Sequence, residues 1–395
     1  MKKIIILGAG VYQVPLIKKA KDMGIYTIVV SIPGKYPGFN YADKVEYIDT
    51  TNHQEILQLA KKERIDGICT TGTDVAILTL GKTCSTLGLN GISEESAEIA
   101  CNKLLMKEKF VEYGVNTAEF HIASTSLNSI SAKKICQCIG YPVIFKAIDS
   151  SGSRGIVKVN SDDDIDKAIN VVLSITRKSH YIIEKFLEGE EFGAQAFVQN
   201  EKLEFIVSHG DYVFKGDTGV PIGHFAPYTI PEIENKVEEQ LKKAIYAMGL
   251  NNCAINADFM LCDDNVYVLE IGARGGATCL AELVSIYYGY DYYEKIIRVA
   301  LGETVDFMPR NKYRQPNASM LLMSDKDGTI KSIENNNEQN KNIYEIKFDY
   351  NIGDSVRKFR VGPDRIGHVI TKGETLNAAV DTLNKALTNT KIKID

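Results

Sequence analysis

Apolar and polar residues alternate with two different periods along the first hundred positions. Short apolar runs are typical of buried strands, and longer segments with apolar residues on one helical face separate them. The predicted strands are 3–7, 26–31 and 67–71, and the predicted helices are 12–23 and 54–63. Strands that alternate with helices indicate a parallel sheet covered by helices. The pattern predicts an α/β fold that begins with a Rossmann-like domain over residues 1–100.

The rest of the chain mixes both patterns. The predicted helices are 102–114, 131–139, 162–175, 232–248 and 280–301, and the predicted strands are 119–122, 141–146, 156–159, 181–184, 191–198 and 203–209. Residues 212–228 contain Gly and Pro and show little period, so we predict a long loop of the kind that forms lids or binding segments. After Pro309, short strands and a helix at 374–387 predict a small α+β domain over 306–395.

A predicted hairpin carries two acidic residues, Asp258 and Glu270, on either side of the polar turn Asp263-Asp264-Asn265. If the turn centres on Asp264, the two carboxylates face each other across the strand pair. Facing like charges destabilise a sheet and raise one pKa unless a cation lies between them. Mg²⁺ binds carboxylate oxygens and shares the rest of its shell with phosphates. The alternative is a surface hairpin with solvated acids.

Composition excludes several classes of protein. The chain has 395 residues, of which 44% are hydrophobic and 25% charged, with a net charge of -5, so it lacks the basic character of nucleic-acid binders. No apolar run reaches the roughly 18 residues of a membrane span, and no cleavage site follows the apolar start. The eight cysteines form no CxxC pair. We therefore expect reduced thiols and a cytoplasmic protein with neither nucleic-acid nor membrane partners.

The turn Gly8-Ala9-Gly10 joins the first strand to the first helix. It has two glycines of a dinucleotide fingerprint, but Gln13 replaces the third, and Ser31-Ile32-Pro33 follows where an acidic residue would bind ribose. These departures argue against an NAD-dependent oxidoreductase. Two interpretations remain for the turn: a structural connection, or a helix N-terminus that binds an anionic substrate.

Five further segments follow one another in a recognisable order. They are Asn102-Lys103, residues 141–146 with the Ser/Gly loop 150–155 behind them, residues 183–191, the carboxylates Asp258 and Glu270 with Arg274, and residues 365–375. In this order the chain resembles the ATP-grasp superfamily of carboxylate–amine ligases along most of its length. It is similar to the branch near biotin carboxylase, the purine-biosynthetic ligases and the L-amino-acid ligases. The resemblance implies a two-lobed ATP-grasp core over 101–305, with a smaller lobe at 115–185 that closes over nucleotide.

The resemblance also implies a nucleotide site. Its expected ATP contacts are Lys103, Lys146, Ser151, Gly152, Ser153, Glu184, Phe186, Leu187 and Glu191, and its expected metal ligands are Asp258 and Glu270. A lysine that ends an apolar strand, as Lys146 does, needs an anionic partner such as triphosphate. Glu184 and the backbone of Phe186 and Leu187 are expected to contact adenine, and Glu191 the ribose. The expected cofactors are ATP and Mg²⁺, with Mn²⁺ as a substitute.

Three residues are expected to act in catalysis. By resemblance, Lys146 contacts the transferred phosphate and Arg274 stabilises the negative charge of an acyl phosphate. His224 resembles a histidine in the substrate loop of amino-acid ligases, and His209 and Lys215 have weaker claims near the same loop. The chain departs from the family at Gly272, where many members carry an asparagine that binds metal. One metal is then less well held, or water replaces that ligand.

The implied reaction transfers the γ-phosphate of ATP to a small carboxylic acid, expected to be an amino acid. An amine then attacks the acyl phosphate, and ADP and phosphate are released. Two alternatives stay open: a purine-pathway or carboxylase-like enzyme that uses formate or bicarbonate, and a nucleotide-binding module without turnover. The expected partners are the small-molecule acid and amine, and a homodimer is consistent with this branch.

Overall fold

The computed structural model describes residues 1–150, 155–216, 219–228, 231–310 and 314–395. The strands are β1 (Lys3–Leu7), β2 (Tyr26–Ser31), β3 (Lys44–Tyr47), β4 (Gly67–Cys69), β5 (Phe120–Ser124), β6 (Val143–Ala147), β7 (Ile156–Val159), β8 (His180–Lys185), β9 (Glu190–Gln199), β10 (Lys202–Val213), β11 (Pro221–Ala226), β12 (Cys253–Cys262), β13 (Asn265–Gly272), β14 (Asn317–Leu322), β15 (Gly328–Asn335), β16 (Ile343–Phe348), β17 (Ser355–Val356), β18 (Gly367–Lys372) and β19 (Thr390–Ile394). The α-helices are α1 (Val14–Asp22), α2 (His53–Glu63), α3 (Ile77–Leu87), α4 (Glu94–Ala100), α5 (Lys103–Glu112), α6 (Ser129–Ile139), α7 (Ile165–Ile175), α8 (Pro231–Ala247), α9 (Leu280–Tyr288), α10 (Tyr292–Ala300) and α11 (Leu376–Thr388). Short 3-10 helices lie at Pro37–Tyr41, Asp162–Asp164 and Gly362–Asp364.

The first four strands form a parallel sheet in the order β3-β2-β1-β4. Strands β1, β2 and β4 are buried, which agrees with their continuous apolar sequence, whereas the edge strand β3 is partly exposed. The predictions of strands at 3–7 and 26–31 are confirmed. The strand predicted at 67–71 is β4, and it ends earlier than predicted, at Cys69. In the turn after β1, the Gln13 side chain accepts a hydrogen bond from the Gly10 N–H (2.9 Å) and donates one to the Thr71 carbonyl. Gln13 therefore fills the turn, which favours the structural interpretation of this glycine pair.

A second sheet, antiparallel, has the order β5-β8-β6-β7 and packs against α6 and α7. Alternate residues of β6 have opposite environments: Val143 and Phe145 are fully buried in the core with the helices, whereas Lys146 is only partly buried. This alternation directs Lys146 away from the helices and towards the rest of the molecule.

The largest sheet among the described residues is antiparallel, with the order β13-β12-β9-β10-β11-β14-β18-β16. It continues from the predicted core into the strands that follow Pro309. On β9, Phe192, Ala194 and Ala196 belong to the same core cluster as the buried face of α8. The intervening residues Gly193 and Gln195 therefore lie on the opposite face. A further sheet, β17-β15-β19, lies in the last part of the chain.

The prediction of a long loop at 212–228 is wrong. Strand β10 extends to Val213, and β11 pairs with β10 on one side and β14 on the other. Gly223 hides the strand pattern, because it lies so close to β14 that a Cβ atom would be 2.2 Å from the Ser319 carbonyl oxygen. A polar His224 in a buried position hides it further. Contacts with neighbouring strands require both residue types, and these contacts cannot be inferred from the local sequence pattern.

The carboxylate hairpin forms as predicted, with Asp258 opposite Glu270. The turn itself is Asp263-Asp264, both left-handed with φ of 44° and 64°, which is the geometry of a two-residue hairpin turn. A turn at that place would pair Asp258 with Leu269 if the ladder were regular. A β-bulge next to Asp258 shifts the register by one residue and brings the two acids face to face.

Two further expectations concern the whole chain. All eight cysteines are free thiols, of which Cys138 is exposed and the others are buried or partly buried. Within the part of the chain that the structure describes, no helix combines the length and apolar character needed to cross a bilayer.

Candidate active site

Four carboxylates gather on the face of the large sheet that points away from α8. The pKa of Asp258 is raised to about 7, first by burial and then by the neighbouring charges of Glu270, Asp211 and Glu191. Arg274 acts in the opposite direction without restoring the usual value. The metal-free site therefore holds more negative charge than its own residues neutralise, which suits a divalent cation.

Lys103 lies at the first position of α5, where the Asn102 side chain caps the helix by accepting hydrogen bonds from the N–H groups of Leu104 and Leu105. Its ammonium forms an ion pair with Glu270. Two residues that the sequence assigned to different ligands, phosphate and metal, therefore contact each other in the ligand-free chain. A cation bound at Glu270 would replace Lys103 there and leave its ammonium for a phosphate.

A second charge cluster surrounds Glu184, which is 2% exposed at the end of β8. One carboxylate oxygen pairs with Lys146, and the other lies 2.9 Å from Nζ of Lys107. Burial alone would raise the pKa of Glu184, but the two ammonium groups outweigh it and lower that pKa to about 2. Burial also acts to lower the pKa of Lys146, but Glu184 outweighs it and the net shift is upward. This cluster carries one positive charge in excess.

The residues expected to contact adenine and ribose come directly after Glu184 in the chain. The Phe186 N–H donates to the Pro142 carbonyl at 3.1 Å, and the Lys158 ammonium lies 3.6 Å from the centre of the Phe186 ring. Because this amide is already used, Phe186 can offer a base only its carbonyl. The pKa of Glu191 is raised by burial and by Asp211. Ser151, Gly152 and Ser153, expected to contact phosphate, lie outside the described residues.

Arg274 is held by Asp74, in the loop after β4. Its Nε and Nη2 donate to the two carboxylate oxygens at 2.8 and 2.9 Å, a bidentate pair. Gly272 makes room for this contact, since a Cβ there would lie 3.0 Å from Asp74 Oδ1. The Gly72 N–H also donates to the Gly275 carbonyl at 3.0 Å. The space beside the glycine that departs from the family pattern is thus occupied by the carboxylate of Asp74, from the loop after β4.

His224 lies on β11 opposite Asp211 of β10. Its Nδ1 is 2.6 Å from Asp211 Oδ1, and Nδ1 of His209 is 2.8 Å from the same oxygen. Burial lowers the pKa of His224 although Asp211 acts to raise it. The His209 ring lies over Gly193, where a Cβ would be 2.3 Å from the ring. Sequence reasoning gave His209 a weak claim, and the structure places it at the centre of this group.

Sequence analysis missed Lys107, Asp74, Asp211 and Gln195. A helical period would have found Lys107, since it lies four residues after Lys103 on the same face of α5. A strand period would have found Asp211, which lies two residues after His209. Asp74 follows the carboxyl end of a parallel strand, where ligand-binding residues collect in α/β sheets. Nothing local singles out Gln195.

A cavity of about 490 Å³ lies elsewhere, between β10, α8, the end of α9 and residues 306–309. None of the expected site residues lines it. The candidate site is therefore defined by its charges and contacts.

Comparisons with known proteins identify the family of this chain. The ATP-grasp domain family matches residues 100–278, and the family "L-amino acid ligase C-terminal domain 2" matches residues 320–395. The crystal structure of phosphoribosylglycinamide synthetase from Anaerococcus prevotii is 36% identical, covers 100% of both chains and superposes with a TM-score of 0.87. The chain belongs to the ATP-grasp superfamily. The expected superfamily and α/β fold are confirmed.

Other ATP-grasp proteins are more distant. Alanine–anticapsin ligase from Bacillus subtilis is 26% identical over 64% of this chain and 58% of its own length. The carbamoyl phosphate synthase large chain of Agathobacter rectalis is 25% identical over 72% of this chain, which spans only 26% of that protein. The L-amino acid ligase of Bacillus licheniformis covers 100% of this chain and 99% of its own, with a TM-score of 0.79 at 18% identity, and so shows the fold alone.

ATP-grasp enzymes are ligases that use ATP and Mg²⁺, and the expected enzyme class and cofactors are confirmed at the level of the family. The charge clusters of this chain fit both: the excess of ammonium groups around Glu184 suits a phosphate chain, and the excess of carboxylates around Asp258 suits a hard cation. The predicted domain boundaries and the individual site residues stay predictions.

Proposed function

We propose that this ATP-grasp protein is a carboxylate–amine ligase that activates a small carboxylic acid as an acyl phosphate and joins it to an amine, releasing ADP and phosphate. The observation that carries the proposal is that two clusters of opposite charge lie side by side. Lys146 interacts electrostatically with Glu184, Glu270 and Glu191. The cation-rich cluster around Glu184, on the sheet β5-β8-β6-β7, therefore lies next to the acid-rich cluster around Asp258 on the large sheet. A triphosphate with its metal fits between them by charge.

In this proposal Asp258 and Glu270 hold Mg²⁺, which neutralises phosphate charge when bound. Lys103 and Lys146 turn from their carboxylate partners to the phosphates and orient the γ-phosphate towards the acid. Arg274, kept in place by Asp74, donates to the negative charge that develops on the acyl phosphate. Two ion pairs of the free chain, Lys103–Glu270 and Lys146–Glu184, thus keep the site's charges paired until ATP arrives.

The acid is proposed to be an amino acid. Two relatives support this class by their names: phosphoribosylglycinamide synthetase forms a glycinamide, and alanine–anticapsin ligase joins an amino acid. The match of the last 76 residues to an L-amino acid ligase domain points the same way. A bicarbonate- or formate-dependent reaction is the alternative, and the experiment below distinguishes them.

The test is Mg²⁺-dependent release of ADP and phosphate from ATP, measured with single amino acids, amino-acid pairs, formate and bicarbonate, with mass spectrometry of the products. The expected result is ADP release that depends on a particular acid and amine, with a product lighter by one water than their sum. Release that depends on bicarbonate or formate would replace the amino acid by that acid. No release with any acid, while ATP binds, would contradict the proposed ligase.

A further inference from the structure

Glu184 loses a cation when Lys146 turns to the phosphates of ATP, as the proposed function requires. A carboxylate that is only 2% exposed is costly without a cation beside it. We infer that Lys107 is a positioning residue that stays paired with Glu184 and so allows Lys146 to leave it for the phosphate chain. The inference rests on the proposed function for the role of Lys146, but nucleotide binding tests it without any acid or amine.

Lys107 is held on the buried side of α5, where it is 4% exposed. Its Nζ donates hydrogen bonds to Thr117 Oγ1 at 2.7 Å and to the Ala118 carbonyl at 3.3 Å. The Thr117 hydroxyl donates in turn to the Val268 carbonyl of β13 at 3.1 Å, which connects this group to the large sheet. The position of the Lys107 ammonium is therefore fixed by contacts other than the one with Glu184.

The two lysines beside Glu184 differ in their surroundings. The side chain of Lys107 is 5% exposed and has the two hydrogen bonds described above, whereas the side chain of Lys146 is 14% exposed. Lys146 also interacts electrostatically with Glu270 and Glu191 of the acid-rich cluster, beside which the metal and phosphates are proposed to bind. Lys146 is therefore the lysine that can turn to the phosphates, and Lys107 is the one that remains.

The charges around Glu184 explain why the cluster contains a second lysine. With both lysines present, two ammonium groups share one carboxylate, so Glu184 keeps one of them after Lys146 has turned away. If Lys107 were neutral, ATP binding would leave Glu184 without either ammonium group. Glu184 would then retain Lys146 or take up a proton. Both outcomes weaken ATP binding, because the phosphate contacts would have to supply the free energy of the change.

The pKa shifts agree with this division of roles. Burial acts to raise the pKa of Glu184, but Lys146 and Lys107 lower it to about 2. Burial lowers the pKa of Lys107 although Glu184 acts to raise it, and the positive charges of Lys146 and Lys103 lower it further. Phosphates bound at Lys103 and Lys146 would offset these two charges, so ATP binding stabilises the ammonium that stays with Glu184.

A purely structural role is the alternative, because Lys107 also fixes the segment 117–118. The hydrogen bonds to Thr117 and Ala118 do not depend on the charge of Glu184. The contact with Glu184 does, since Nζ lies 2.9 Å from Oε2 as an ion pair without the geometry of a hydrogen bond. Removing the charge of Glu184 therefore separates the two roles.

The test is a double-mutant cycle measured by calorimetric titration with ATP and Mg²⁺. Lys107→Met keeps the length of the side chain without its charge, and is expected to lower ATP affinity on the order of 10- to 100-fold. In a Glu184→Gln background the same change is expected to lower ATP affinity less than about threefold, since no buried carboxylate is left unpaired. Lys109→Met, which removes an exposed ion pair on the same helix, is the matched control.

Lys107→Gln is the second variant, because its amide can still donate to Thr117 although it carries no charge. The same loss of ATP affinity is expected in Lys107→Gln, and the same recovery in the Glu184→Gln background. Thermal unfolding without nucleotide shows that each variant is folded. An equal loss of ATP affinity in both backgrounds would overturn the inference, because Lys107 would then act through the segment 117–118. Unchanged ATP affinity in a folded Lys107→Gln variant would overturn it as well.

This inference and the proposed function fail separately. If no acid supports ADP release but the two backgrounds differ as expected, the proposed ligase fails and the role of Lys107 stands. If a ligase reaction is found and ATP affinity does not depend on Lys107, the role of Lys107 alone fails. No ATP binding by the unaltered protein would overturn both.

Discussion

Two clusters of charged side chains in this protein differ in the sign of their excess charge. Around Glu184, one carboxylate is shared by Lys146 and Lys107, and its pKa falls to about 2. Around Asp258, several carboxylates share too few cations, and its pKa rises to about 7. Glu184 is buried and Asp258 is partly buried, so desolvation acts on both carboxyl groups in the same direction, and their charged neighbours decide the opposite outcomes.

The difference indicates what each cluster is prepared to bind. Excess ammonium charge in a buried place is costly unless an anion such as phosphate joins it, and excess carboxylate charge is costly unless a cation does. The two clusters lie on different sheets. Lys103 pairs with Glu270 in the ligand-free chain, and Lys146, paired with Glu184, also interacts electrostatically with Glu270 and Glu191. Each of the following predictions tests one side of this contrast.

The largest expected effect comes from the cationic cluster. Lys146→Ala should lower ATP-dependent turnover on the order of 10³-fold and weaken ATP binding, because it removes an ammonium aimed at the phosphates. Lys133→Ala, which alters an exposed ion pair on the same lobe, is the control. Calorimetry and ADP release measure the two effects. Full activity in Lys146→Ala would end the assignment of this cluster to phosphate.

Arg274→Ala should lower turnover about 100-fold or more while ATP binding changes little, since the arginine acts on charge that develops later. Asp74→Asn should have the same direction and a smaller size, because an asparagine can accept only one of the two hydrogen bonds. Arg298→Ala removes an exposed ion pair and serves as control. Loss of ATP binding in Arg274→Ala would make the Asp74–Arg274 pair a structural contact between the loop after β4 and the segment after β13.

Glu270→Gln should raise the Mg²⁺ concentration for half-maximal activity about tenfold or more, because a neutral amide binds a hard cation less well than a carboxylate. Glu238→Gln, at an exposed position on α8, is the matched control. The measurement is an Mg²⁺ titration of ADP release. An unchanged titration would remove Glu270 from the metal site and leave the acid cluster without a defined ligand.

The smallest expected effect is on metal-free stability. The pKa of Asp258 is higher in the folded chain than its usual 3.8, so the folded state holds an extra proton between that value and about 7. Stability is therefore expected to fall as the pH rises through this window in EDTA, and Asp258→Asn should remove part of the fall. Melting temperatures at pH 5 and pH 8 measure this, with Asp264→Asn at the exposed turn as control. A pH dependence unchanged in Asp258→Asn would contradict the acid excess.

Much of the fold followed from local patterns. Strands 3–7, 26–31 and 156–159 were predicted with the observed bounds, because apolar runs between turns depend on neighbours in sequence. The failure at 212–228 has the opposite cause. Strand β11 is specified by its partners β10 and β14, and its glycine and histidine satisfy contacts made across the sheet.

The pairing of Asp258 with Glu270 was predicted correctly, although the turn was predicted at the wrong place. The expected turn centre was displaced from the observed turn, and a bulge beside Asp258 compensated for the difference. A bulge is a feature of the strand pair in its sheet, so its place could not be read from a period.

By itself, the sequence determined the family and many of the strands and helices, and it singled out the two lysines and two carboxylates of the expected nucleotide site, because residue type and local spacing carry them. Tertiary structure decided which charges meet. Asp74 reaches Arg274 across 200 positions, Lys107 shares Glu184 with Lys146, and Asp211 joins two histidines from neighbouring strands. These contacts depend on the packing of sheets and loops that are distant along the chain, and the sign of each pKa shift depends on them.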